Sequence, residues 1–199
     1  TENMKLDVML NMARRYHDGR AECLALSMKT ELYNRMSKPD LLMYYYQRCR
    51  VLSMRTKNYK YLFNSWGEVI SSMLQRRKFS SAQVELANSF NEALRLKSED
   101  GISNYYYYAG NYYAMQKQFA AAINNYKQTL NYYNDDTYSI YAMLGQCFYF
   151  LEMYKDAIQY MNLALHASDN KLLQITPLIV LEKSYCLMND TDAATKVFN

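Results

Sequence analysis

Apolar residues in this chain recur at helical spacing, in runs divided by short polar turns. Met9, Met12, Ala13 and Tyr16 lead through Gly19 to Cys23, Ala25 and Leu32. Asp40–Met54, after Pro39, reads as a further helix. Trp66, Val69 and Met73 are followed, past Arg76-Arg77-Lys78, by Phe79, Ala82 and Leu86. Steps of three and four place such residues on one stripe of an α-helix. Ser80-Ser81-Ala82-Gln83 has the form of a capping box, and it is expected to start the helix after the basic turn. Only 5 Gly and 2 Pro punctuate the chain, too few for the many tight turns of a sandwich or barrel. The expectation is an all-α protein of about eleven helices.

From residue 100 onward the pattern repeats itself. Tyr106-Tyr107-Tyr108-Ala109-Gly110-Asn111-Tyr112-Tyr113 returns in altered form as Tyr141-Ala142-Met143-Leu144-Gly145-Gln146-Cys147-Phe148, with Gly110 and Gly145 at an offset of 35. Phe119, Ala122, Ile123, Tyr126 and Leu130 have counterparts in Tyr154, Ala157, Ile158, Met161 and Leu165. Glycine in one helix and alanine in the next let two helices approach closely while the aromatics fill the wider gaps. A third copy runs through Leu178, Leu181, Tyr185, Ala194 and Phe198, with Glu182 in the glycine slot and Pro177 expected in the first turn. In the upstream copy around Trp66, Ile70 stands in that slot.

These residues resemble the tetratricopeptide repeat, with its large aromatic, Leu-Gly pair and Tyr in the first helix and its Tyr or Phe, Ala, aromatic and Ala in the second. The resemblance implies antiparallel helix pairs stacked into an α-solenoid: one superhelical domain over 1–199, with divergent repeats in 1–100 and clearer ones at 103–134, 138–169 and 175–199. Thr129 departs from the pattern where Ala164 keeps it, and Asn134 and Asp169 replace the usual terminal proline. The Asp40–Met54 helix makes the count odd. Either it closes a repeat with a displaced partner, or the Trp66 helix is its second helix.

In this family the first helix of each repeat lines a concave groove, which points to Tyr107, Asn111, Ser139, Gln146, Tyr149 and Lys183 as partner-binding residues. Amides suit an extended peptide backbone, and tyrosines add rigid contact area. Tetratricopeptide domains that clasp a terminal carboxylate use Lys and Asn at paired positions. Only Asn111 matches here, because Tyr107 and Met143 replace the others, so that ligand is disfavoured. Richness in Tyr, Asn and Met is similar to repeat regions of bacterial signalling proteins. The resemblance implies a non-enzymatic scaffold for a protein or peptide, an interaction or signal-input region of a larger regulatory protein.

Charge supplies the alternative. Residues 1–100 hold 17 Lys+Arg against 11 Asp+Glu, and residues 101–199 hold 6 against 8. Arg48, Arg50, Arg55, Lys57, Lys60, Arg76, Arg77 and Lys78 gather the positive charge, so a solenoid binding nucleic acid through its basic first half is the second reading, beside a plain solvated face. Catalysis finds little support. His17 and His166 are the only histidines, far apart in sequence and at helix ends, and no phosphate loop, zinc-binding motif or nucleophile elbow occurs. Neither cofactor nor metal is expected. Tyr105–Tyr108 has the look of a base-stacking platform but lacks interleaved basic residues, so core packing is expected, as it is for most of the 13 Met. Cys23, Cys49, Cys147 and Cys186 form no C-x-x-C pair and read as free thiols, which mildly favours a reducing compartment and leaves an extracytoplasmic sensor region open. No apolar run reaches the roughly 20 residues that cross a bilayer. A start at Thr1 and an end inside a helical pattern read as a piece of a longer protein.

Overall fold

A computed structural model describes residues 1–132 and 137–197, so the expectations placed on Asn134 and Phe198 lie outside the described residues. Within them the chain forms α1 (Glu2–Arg15), α2 (Gly19–Arg35), α3 (Pro39–Thr56), α4 (Tyr59–Gln75), α5 (Phe79–Leu96), α6 (Glu99–Met115), α7 (Phe119–Leu130), α8 (Tyr138–Phe150), α9 (Tyr154–Ala167), α10 (Lys171–Leu187) and α11 (Thr191–Lys196), and no strand. Pro39 opens α3 at its first position, where the missing N–H costs nothing.

The turns explain how so few glycines suffice. His17, Ser37, Lys57, Arg77, Lys97, Lys117, Glu152 and Asn189 each adopt a left-handed backbone with φ between 52° and 60°. The next amide donates to the carbonyl five residues back, as in Asp18 N–H to Ala13 (2.8 Å), Lys78 to Met73 (2.9 Å) and Gln118 to Tyr113 (2.9 Å). These are Schellman closures made without glycine. They leave one residue between the left-handed position and the next helix. The expected capping box at Ser80 is corrected accordingly: the turn closes on Lys78, α5 begins at Phe79, and Ser80 already lies in the first turn.

From His17 to Lys117 these turns fall every twenty residues, and the next two intervals in the chain, Lys117 to Glu152 and Glu152 to Asn189, are 35 and 37. A helix pair therefore takes 40 residues in the first part of the chain and fewer afterwards. Ala82, Ala122, Ala157 and Ala194 all occupy the fifth position after a left-handed residue, and all are buried. On that phase α5, α7, α9 and α11 are second helices and the Trp66 helix α4 is a first helix paired with α5; one forty-residue step earlier, with Leu42 in the alanine's place, α3 is the partner of α2. Helix α1 packs on α2 ahead of these pairs, over the Met9–Leu32 stretch.

The described packing forms two compact units, Thr1–Tyr108 and Ala109–Asn199. In the first, α2 packs on α4 as well as on α3, around Leu10, Cys23, Leu26, Cys49 and Leu52. Fully buried Lys29 joins α1 to α2: its Nζ donates to Asn3 Oδ1 and pairs with Asp7 (both 2.8 Å), above the Tyr45 ring. In the second unit α8 packs on α10 as well as on α9. The close approaches expected at Gly110 and Gly145 are present. A Cβ on Gly110 would lie 2.5 Å from the Tyr126 ring, and one on Gly145 would lie 2.8 Å from the Met161 methyl.

Pro177 is not in a first turn. It lies inside α10, buried, six residues past the helix start. A proline there cannot donate to the carbonyl four residues earlier, Leu173. The Tyr138 hydroxyl supplies the missing donor, reaching the Leu173 oxygen from α8.

Candidate functional site

All six residues expected to meet a partner lie on even-numbered helices. Tyr107 is half-buried on α6, edge-on to Tyr108 with ring centres 5.1 Å apart. Asn111 is committed internally, since its Oδ1 accepts from the Tyr126 hydroxyl at 2.7 Å. Ser139, Gln146 and Tyr149 are half-buried along α8, at steps of seven and three that share a face. Tyr149 sits edge-on to Phe150. Lys183 is exposed on α10.

The sequence reading missed a recess in the first unit, formed where α2 and α4 meet the Asn104–Tyr108 part of α6. Leu24, Ser27, Met28, Glu31, Tyr61, Asn64, Glu68, Asn104 and Tyr108 enclose about 240 Å³. Gly67 makes it possible, because a Cβ there would come within 2.1 Å of the Tyr108 ring. Without that side chain, Tyr108 reaches across and its hydroxyl donates to Glu68 Oε1 at 3.3 Å. Asn34 Nδ2 donates to the other oxygen at 2.7 Å. One sequence signal was present: Glu68 is the single charged residue of Tyr61–Gln75, an otherwise apolar and small-polar stretch.

Burial pushes the Glu68 carboxyl above the usual carboxylate range, and nearby Glu31 adds to the rise, while the bonds from Asn34 and Tyr108 and the charge of Arg35 oppose it. A raised folded-state value makes the charged form a burden above it. That burden lightens as pH falls through the folded value toward the unfolded one of roughly 4.3. Glu68→Gln is expected to be as stable as wild type or more so at pH 7, within about 1 kcal/mol. Wild type should gain on the variant as pH falls toward 5. Urea unfolding at several pH values checks both, and a loss above about 2 kcal/mol at pH 7 would mean that the carboxylate charge is needed for folding.

Two other expectations change with the structure. Eight of the 13 methionines are exposed (Met4, Met12, Met28, Met36, Met43, Met115, Met153 and Met188), and only Met161 is buried. They do not chiefly fill core gaps, and Met28 borders the recess. Tyr108 is buried, but Tyr105 and Tyr106 are half-buried against Phe90. The basic residues also divide. Lys57 and Lys60 belong to the α3–α4 turn region with Arg20 and Lys97, whereas Arg76, Arg77 and Lys78 form the α4–α5 turn at the other end of α4. Arg48 and Arg50 lie over the rings of Tyr44 and Trp66. Cys23, Cys49, Cys147 and Cys186 are thiols, and burial pushes Cys49 up to about 11 and Cys147 up to about 12. Among the described residues no group of three or more His, Cys, Asp or Glu is placed to hold a metal ion, and no helix is long and apolar enough to cross a membrane.

No family model matches the sequence, and no curated protein does. Solved structures do match by fold. BtubC (BKLC) from P. vanneervenii superposes with a TM-score of 0.74 at 15% identity, over 98% of this chain and 85% of that one. Pseudomonas aeruginosa PilF superposes with a TM-score of 0.64 at 14% identity, over 98% and 87%. Both are tetratricopeptide-like helical-repeat proteins. Identities this low carry the fold alone, and with the alanine phase and the helix pairs they establish that this chain has a tetratricopeptide-like helical-repeat fold.

Proposed function

We propose that the chain is a non-enzymatic binding module, which holds a protein or peptide segment against the even-numbered helices of its units and serves as an interaction or signal-input region of a larger regulatory protein. The observation that carries this reading is the recess of the first unit, where carboxylates, amides and tyrosines from three first helices converge on a space that helix packing leaves unfilled. Ser139, Gln146 and Tyr149 extend the same kind of chemistry to α8 of the second unit. A nucleic-acid partner is the weaker reading, since the basic residues of the first hundred divide between the two ends of α4, and two of them rest on rings.

Peptides selected from a random display library against the full chain supply a ligand for calorimetry. A peptide held on the first unit should be weakened by Tyr107→Ala, and one held on the second by Gln146→Ala and Tyr149→Ala, each by about 0.5 to 1.5 kcal/mol, the tyrosines most, with helicity retained. Lys155→Ala, on the first turn of α9, should weaken neither. Asn111→Ala should also lower stability, because it removes the acceptor of the Tyr126 hydroxyl. Wild-type affinity in all the Tyr107, Gln146 and Tyr149 variants would place the ligand elsewhere. Tight oligonucleotide binding that falls steeply with salt would favour the nucleic-acid reading.

A further inference from the structure

We infer that the recess between α2, α4 and the Asn104–Tyr108 part of α6 seats one cationic side chain, a lysine or arginine of the bound segment. This deepens the reading of the chain as a binding module and rests on it. Size is the first reason. About 240 Å³ is below the range of small-molecule and cofactor sites and suits a single long side chain.

Charge is the second reason. Glu31 and Glu68 line the recess, and no Lys, Arg or His does. Asn34 and Tyr108, which bond Glu68, are neutral donors, so they orient the carboxylate without cancelling its charge. Arg35 is the cation at the margin. Its guanidinium is bonded to Glu2 of α1 and stands 3.9 Å from Glu31, so one cation faces three carboxylates counting Glu68. A buried carboxylate in an acidic surplus is costly while the site is empty, and an incoming cation removes that cost.

Hydrogen-bonding capacity is the third reason. Asn104 lines the recess, and its Oδ1 is buried with no hydrogen-bond partner, beside the carboxylates of Glu31 and Glu68. Lysine and arginine are donors only and match a pocket with acceptors to spare. Tyr61 and Tyr108 also line the recess, and aromatic rings attract a cation more than a neutral chain of equal length. Met28 and Leu24 give the aliphatic stem an apolar border.

The test uses the full chain with methyl-labelled methionine and four capped pentapeptides, Ala-Ala-X-Ala-Ala, where X is lysine, arginine, norleucine or glutamate. The lysine and arginine peptides should shift the Met28 methyl resonance saturably and bind at least about tenfold more tightly than the norleucine peptide. The glutamate peptide should leave the resonance in place. Glu68→Gln and Glu31→Gln should each weaken the cationic peptides, Glu68→Gln by about tenfold or more, with unchanged helicity. Equal shifts by norleucine and lysine, no shift by any peptide, or full affinity in Glu68→Gln would overturn the cation seat. Library-selected peptides separate this failure from a broader one. If they bind the even-numbered helices with no enrichment of Lys or Arg, the seat is wrong and the module stands; if none binds, the module reading fails as well.

Discussion

Replacing Gly110 with leucine is expected to destabilise the protein by about 3 kcal/mol, at the upper end of the usual cost of overpacking a core. The new Cβ would lie 2.5, 2.6 and 2.9 Å from three atoms of the Tyr126 ring. That ring cannot retreat easily, because it is fully buried and its hydroxyl is tied to Asn111 across the helix pair. Leucine gains almost 1 kcal/mol of helix propensity over glycine, so the figure is what remains after that gain. Gly145→Ala should cost less, since its obstacle is the flexible thioether end of Met161. Gly19→Ala, 3.0 Å from one methyl of Thr56 at the start of α2, should be close to neutral. Urea unfolding of the three variants checks the order. A cost below about 1 kcal/mol for Gly110→Leu would mean that the two helices of this pair do not cross where the structure has them.

Tyr138→Phe is expected to cost about 1 to 2 kcal/mol, although it removes a single oxygen. The hydroxyl donates to Leu173, the carbonyl that Pro177 leaves without its helical partner. The proline gives the prediction an internal control. In a Pro177→Ala background the residue 177 amide can close the ordinary helical bond to Leu173, so the same Tyr138→Phe change should lose at least about 0.5 kcal/mol of its effect. A double-mutant cycle by chemical denaturation measures the coupling. Full additivity would show that the hydroxyl does not stand in for the missing amide.

How much of this was legible in the sequence depended on which atoms carried the signal. Helix pairs were legible from Gly110 with Ala122 and Gly145 with Ala157, because small residues at a crossing leave a mark that survives divergence. The pairing of the first hundred residues was not, since Ile70 stands in the glycine slot of α4. The buried alanine at the fifth position after a left-handed residue, Ala82 to Ala194, phased α5 and the later second helices, and α3, with Leu42 at that position, was placed only by the twenty-residue spacing of the turns. The turns themselves were hidden because histidine, serine, lysine, arginine, glutamate and asparagine take the left-handed position, where glycine would have announced it. Ser80 misled because a capping box is a local pattern, whereas the helix start was set by the closure of the preceding helix on Lys78. Pro177 misled for the opposite reason, since its tolerance depends on Tyr138, 35 residues from the carbonyl it serves. The recess draws on α2, α4 and α6, so no single stretch of sequence contains it. Only Glu68 in its apolar surroundings hinted at it.

The central claim is that a protein or peptide segment is held on the even-numbered helices. Hydrogen–deuterium exchange of the full chain, with and without a saturating library-selected peptide, tests this most directly. Added protection is predicted in α2, α4, α6, α8 or α10, with α3, α5, α7 and α9 exchanging as they do in the free protein. Protection confined to the odd-numbered helices or to the turns would contradict it.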